Sequence, residues 1–228
     1  AAVFNATTKS SYSIRVKVTD AGGLSFEKAF IINVLPSYLP ANGLVGWWPF
    51  NGNAKDESGL GGEGVVYGAS LTNDRFGASN KSFDFDGVSN YIESNTANLP
   101  LGNSSRTFAF YFYYSPSENF NGWSCALSYG AGVGTSNAGK INDVFLGIPT
   151  ANLYLNNNEY TTAANLDFDF TRTWHHLAIT YDNTSLSTIK IYFDGNLTTT
   201  FGNNYLGISE LSTTLSNLFF GRTSNAYS

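Results

Sequence analysis

From residue 44 onward the chain is cut into short apolar or alternating runs: LVGWWPF, GVVYG, SFDFDG followed by YIES, TFAFYFYYSP, SCALSYG, DVFLGI, ANLYLN, TWHHLAITYD, TIKIYFDG and SNLFFGR. Turn-forming Gly, Asn, Asp and Ser separate them roughly every 8–15 residues. No 3.6-residue period connects one run to the next, so helices cannot carry these side chains into a core. The expected fold is all-β, a sandwich or jelly roll of two packed sheets. The balance of residue types agrees: 16% aromatic and only 13% charged, a mixture of β-formers and turn-formers.

The first 36 residues follow a different plan. SYSIRVKVTD alternates, with Tyr12, Ile14, Val16 and Val18 on one face; after AGGL, SFEKAFIINVLP alternates through Phe26, Lys28, Phe30, Ile32 and Val34. This is a hairpin, too little to be stable alone. Pro36, Pro40, Asn42 and Gly43 then mark a linker. The expected organisation is a partial β-sandwich element over residues 1–36, a linker over 37–43 and a β-sandwich over 44–228. With no methionine, the chain reads as a piece of a longer, multidomain secreted or cell-surface protein.

Charge and cysteine usage exclude several classes. A net charge of −5 with 12 scattered Lys and Arg offers no cationic track for a nucleic-acid backbone. No apolar stretch approaches the ~20 residues of a membrane span. The single cysteine, Cys125 in WSCAL, permits no internal disulfide and reads as a small buried hydrophobe.

Four groups of residues could carry chemistry. In the loop NGNAKDESG, Asn51, Asn53, Asp56 and Ser58 present oxygens at close spacing, enough for an Asx-type turn or, in principle, for calcium. Asp84 with Asp86, and Asp167 with Asp169, sit at i, i+2, which on a strand puts carboxylates roughly 6.5–7 Å apart. That separation could suit glycoside hydrolysis. Alternating phenylalanines make a polar-out strand the plainer reading, and no enzyme activity is expected. Adjacent His175 and His176 face opposite sides of a strand and cannot share a metal; a hydrogen-bonded histidine within the sandwich is expected.

The fourth group is aromatic. In TFAFYFYYSP, Phe108, Phe110, Phe112 and Tyr114 form the core face, leaving Ala109, Tyr111 and Tyr113 outside. Tyrosine rings can stack on the apolar face of a sugar while their hydroxyls hydrogen-bond, or they can lie beneath a packed loop. Trp123, Tyr154 and Tyr160, with Asn157 among three consecutive asparagines, are loop candidates for the same role.

Two resemblances add to this reading. YSIRVKVTDAGGLSFEKAFIINV resembles the last two strands of a cadherin-type repeat, in which the residue matching Asp20 helps hold interdomain calcium; here LPSYLPANG replaces that family's calcium-binding linker. GLVGWWPFNGNAKDESG, SFDFDGVSNYIE, TWHHLAITYD and KIYFDG, in this order, resemble the laminin-G-like domains of the concanavalin A-like jelly-roll superfamily, in the version common in bacterial surface proteins. That resemblance implies a calcium ion near the first strand, with Asn53 and Asp56 as candidate ligands. The Glu-x-Asp-x-(x)-Glu strand of glycosidases with this fold has no counterpart. The family's closing strand is also missing before Ser228, so an incomplete sandwich is expected. The implied function is a noncatalytic adhesion or carbohydrate-binding module with a glycan or surface protein as partner. The alternatives are an accessory module of a polysaccharide-degrading enzyme and a ligand-free spacer in a surface fibre.

Overall fold

Two strands, β1 (Ser11–Thr19) and β2 (Ser25–Asn33), form the N-terminal hairpin. Their antiparallel register puts Ile14 opposite Phe30 and Val18 opposite Phe26, so the alternating apolar positions of both strands share one face, as the alternation predicts. The other face is mixed, with Ala29 and Ile31 among Ser13, Arg15, Lys17 and Glu27, and carries an ion pair between Arg15 Nη1 and Glu27 Oε2 at 3.2 Å. Asp20 closes the turn, its Oδ1 accepting the N–H groups of Gly22 and Leu24, each at 2.9 Å. The chain divides after Leu44, and the rest forms a second unit, Val45–Ser228. The computed structural model describes residues 11–33, 42–60, 62–95, 98–115, 123–130, 142–147, 151–154, 172–185, 188–200 and 211–222.

The second unit holds twelve strands among the described residues: β3 (Gly64–Tyr67), β4 (Ser70–Thr72), β5 (Ser82–Asp84), β6 (Tyr91–Ser94), β7 (Arg106–Tyr113), β8 (Trp123–Tyr129), β9 (Asn142–Gly147), β10 (Ala151–Tyr154), β11 (Trp174–Tyr181), β12 (Lys190–Phe193), β13 (Asn196–Thr200) and β14 (Leu218–Phe220). One sheet runs β10-β9-β8-β14-β6-β3 and another β13-β12-β11-β7; β4 and β5 pair separately. Every pairing between these strands is antiparallel. The core joins the two large sheets: Phe112, Leu177, Ile179, Ile191 and Phe193 from the four-stranded one meet Leu127, Tyr129 and Leu218 from the six-stranded one. No described helix is long and apolar enough to cross a membrane.

The opening run LVGWWPF, expected as the first strand of this unit, is not part of a ladder. The Trp47 N–H donates to the Asp56 carboxylate at 2.8 Å, its carbonyl accepts from Glu57 N at 2.7 Å, and Pro49 has no N–H to offer. Trp48 turns inward instead: its indole N–H reaches the Gly62 carbonyl at 2.7 Å and its ring meets Phe220 edge-on at 5.4 Å. Gly46 makes room for it, since a Cβ there would lie 2.3 Å from the indole. Conversely, β4 and β13 were not legible as strands of their own. The β12–β13 hairpin turns on Asp194 and Gly195, both at positive φ (48° and 81°), the arrangement of a two-residue Asp-Gly turn.

Candidate functional site

Alternation along β7 buries Phe112 and leaves Tyr111 and Tyr113 on the outer side of the four-stranded sheet, 50% and 47% exposed. Along β11, Leu177, Ile179 and Tyr181 point into the core, so Trp174, His176, Ala178 and Thr180 take the outer face. Register brings these two sets together: Tyr113 lies opposite Trp174, Tyr111 opposite His176, and Ala109 opposite Ala178. The ring centroids of Tyr113 and Trp174 are 5.8 Å apart, and those of Tyr111 and His176 are 4.8 Å apart, tilted by 57° and 55°. The alanine rung continues across the sheet to Tyr192 and then Leu197. The outer face thus has two aromatic rungs beside a low rung of alanines.

A loop adds a cation. Between β4 and β5, Asp74 Oδ1 accepts the N–H groups of Phe76 and Ala78 at 2.8 and 2.9 Å, fixing a tight turn. That turn presents Arg75, whose guanidinium carbon lies 4.0 Å from the centre of the Tyr111 ring and 4.3 Å from that of Phe76. One face of Tyr111 is therefore taken by Arg75, and the ring acts as a seat for the guanidinium as well as an exposed aromatic edge. Tyr113 keeps an open stacking surface, with Trp174 half-buried beside it.

The two histidines part as expected. His175 turns inward, 4.7 Å from the ring of Phe193, with Nδ1 2.8 Å from Asp194 Oδ2 and Nε2 2.6 Å from Thr173 Oγ1. Asp194 also receives the His176 N–H on Oδ1 at 2.8 Å, tying the β12–β13 turn to β11. Burial tends to raise the Asp194 pKa, but the His176 N–H and the contact with His175 outweigh it and hold the carboxyl below its ordinary value. His176 is held below the usual imidazole range, first by burial; Asp194 opposes this and the Arg75 charge reinforces it.

Of the carboxylate pairs, Asp84 ends β5 and Asp86 lies beyond it. The Asp86 carboxylate accepts the N–H groups of Asn90, Val88 and Ser89, which hold it well below the carboxylate range. A general acid needs the opposite shift, so Asp86 is a loop anchor. Asp167 and Asp169 lie outside the described residues.

The proposed calcium ligands are engaged with backbone. Asn53 Oδ1 accepts Lys55 N at 2.8 Å; Asp56 Oδ1 accepts Trp47 N and Ser58 N, both at 2.8 Å, and Oδ2 accepts Ser58 Oγ at 2.8 Å. Both Oδ1 lone pairs of Asp56 are thus committed and Oδ2 has one partner, so these two side chains serve the turn and would supply only part of the six to eight oxygens calcium takes. Among the described residues no three His, Cys, Asp or Glu side chains converge in a metal-binding cluster.

Of the other sugar-binding candidates, the two among the described residues belong to a different sheet from Tyr111 and Tyr113. Trp123 begins β8 and Tyr154 ends β10, both in the six-stranded sheet, while Asn157 and Tyr160 lie outside the described residues. That sheet has its own aromatic group. Tyr67 and Tyr91 stack at 4.4 Å, and Arg222 lies over Tyr91 and Phe219. Its rings largely face each other, and Phe219 is only 9% exposed. The four-stranded sheet is the better candidate surface. Trp174 could have been added to it from sequence, since it shares an outer face with His176 by alternation. Arg75 could not, because a loop far along the chain delivers it.

A family model described as the concanavalin A-like lectin/glucanases superfamily, of the third laminin-G type, matches residues 86–228. Among solved structures the chain is similar to domain 4 of AbnA, a GH43 extracellular arabinanase from Geobacillus stearothermophilus, in complex with arabinotriose. The TM-score is 0.56 at 15% identity, covering 78% of this chain and 83% of that one. It is also similar to the binding domain of botulinum neurotoxin serotype G, with a TM-score of 0.51 at 14% identity, covering 73% of this chain and 40% of that one. Among curated proteins no sequence matches.

Proposed function

The chain belongs to the laminin-G family of the concanavalin A-like lectin/glucanases superfamily, and on that basis we propose that it is a noncatalytic carbohydrate-binding module whose ligand lies on the outer face of the four-stranded sheet. The observation that carries this reading is the pair of half-exposed tyrosines, Tyr111 and Tyr113, set by register against His176 and Trp174. Exposed rings beside a low alanine rung offer a sugar both a stacking surface and room for the neighbouring residue of an oligosaccharide. The arabinotriose complex of the arabinanase domain supports the same class of ligand and favours a second setting, an accessory module of a polysaccharide-degrading enzyme. In a surface protein the same contacts would serve adhesion.

The test is a glycan array followed by titration of the best binder. Trp174→Ala removes the largest ring of the platform, and loss of a binding hot spot of about 2 kcal/mol corresponds to roughly 30-fold weaker affinity. Val88→Ala, at an exposed loop position outside the strands of this sheet, leaves affinity unchanged. Unaltered binding by Trp174→Ala and Tyr113→Ala together would refute this location.

A further inference from the structure

Resting on that reading, we propose that the platform selects acidic saccharides, with Arg75 receiving the anionic group of a sugar stacked on Tyr113 and Trp174. A guanidinium lying flat on an aromatic ring uses its face for the contact and leaves its in-plane N–H fork directed outward. The Arg75 guanidinium carbon lies 4.0 Å from the centre of the Tyr111 ring and 4.3 Å from that of Phe76, contacts that leave N–H donors for a ligand, and among the described residues no carboxylate forms an ion pair with it. Two carboxylates of this region have other partners: Asp194 accepts the His176 N–H through Oδ1 and meets His175 through Oδ2, and Asp74, next to Arg75 in the chain, accepts the N–H groups of Phe76 and Ala78 through Oδ1. His176, kept toward its neutral form, does not compete for an anion.

A chain of net charge −5 offers a polyanion no general attraction, so a preference for an acidic glycan has to come from a local cation such as Arg75, which has no ion pair among the described residues. The planar carboxylate of a uronate matches the guanidinium fork in two parallel hydrogen bonds, and a sulfate ester offers the same acceptor chemistry in tetrahedral form. The stacked rings supply the sugar contact and Arg75 the charge discrimination, so the two contributions separate experimentally.

The experiment titrates the full chain with three oligosaccharides of equal length and linkage: galacturonate oligomers, sulfated galactose oligomers and neutral galactose oligomers. An anionic oligomer should bind about 10–100-fold more tightly than the neutral one, the range expected for hydrogen bonds to a charged group. Whichever anionic arm binds more tightly identifies the group recognised. Arg75→Gln should abolish the preference while neutral binding persists, Arg75→Lys should keep part of it, and added salt should reduce it. Equal binding of all three oligomers, or an undiminished preference in Arg75→Gln, overturns the proposal while leaving the carbohydrate platform intact. No binding of any oligomer, with the array also blank, overturns both.

Discussion

Replacing Arg106 with methionine probes the packing that holds the platform's sheet against its partner. Arg106 opens β7 and is only 7% exposed. Its guanidinium donates from Nε to the Ser104 carbonyl at 2.9 Å, from Nη1 to Tyr129 Oη at 2.7 Å and Thr213 Oγ1 at 2.8 Å, and from Nη2 to the Gly102 carbonyl at 2.8 Å. Among the described residues no carboxylate pairs with it, so carbonyl and hydroxyl dipoles, with the Tyr129 ring centre 5.8 Å away, compensate the charge. Hydrogen bonds to a charged group contribute about 1.5–3 kcal/mol each, an upper limit here because the variant also escapes the cost of burying the cation. Two acceptors keep other roles: Tyr129 still donates to Pro100 O at 3.0 Å, and Gly102 O still receives Thr213 N at 3.2 Å. The expected net loss is about 3 kcal/mol, which for a unit of this size lowers Tm by roughly 6–12 °C. Scanning calorimetry of the full chain, following the larger unit, reads this directly. Tyr129→Phe removes a single partner and should cost about 1 kcal/mol. A Tm change below about 2 °C for Arg106→Met, with an unaltered far-UV spectrum, would show that desolvation cancels the bonds and would refute the reasoning.

Asp56→Ala frees Trp47 N and Ser58 N and should destabilise by about 1–3 kcal/mol, whereas EDTA should leave Tm unchanged; a chelator-dependent fall in Tm would instead favour calcium in this loop. Asp194→Ala unties the β12–β13 turn from His175 and His176, and hydrogen exchange at the His176 amide should accelerate; unchanged protection would contradict that role. His176 takes its proton less readily when folded than the ordinary imidazole value of 6.5, so the unfolded chain binds more protons below that pH. Its contribution to stability is therefore complete above pH 6.5 and is lost as pH falls through the depressed folded value. Melting temperature followed against pH should decline less steeply in His176→Gln than in the parent, and identical slopes would count against the assignment.

Much of the fold was legible because period-two alternation is a local property. Phe112 and Tyr113, or His175 and His176, reveal opposite faces from adjacency alone, and the registers place them accordingly. The segment around Trp47 and Trp48 misled because an apolar run resembles a strand, while a carboxylate nine residues away provides the bond a neighbouring strand would have supplied. Asp86 misled in a similar way: its spacing from Asp84 suggested a shared strand face, but the strand ends between them and three backbone N–H groups claim the carboxylate. The candidate site was half legible. Tyr111 and Tyr113 follow from alternation, but their neighbours depend on which strand lies alongside β7, and Arg75 on a loop folding back over it. Long-range placement of this kind leaves no spacing signal in a single sequence.

The central claim, that a glycan occupies the outer face of the four-stranded sheet, is tested most directly by an NMR titration of the isotope-labelled chain with the oligosaccharide that binds best. The account predicts shifts concentrated at Arg75, Tyr111, Tyr113, Trp174 and His176, saturating with the affinity measured by calorimetry. Shifts confined to Tyr67, Tyr91 and Arg222 on the six-stranded sheet, with this set unmoved, would contradict it.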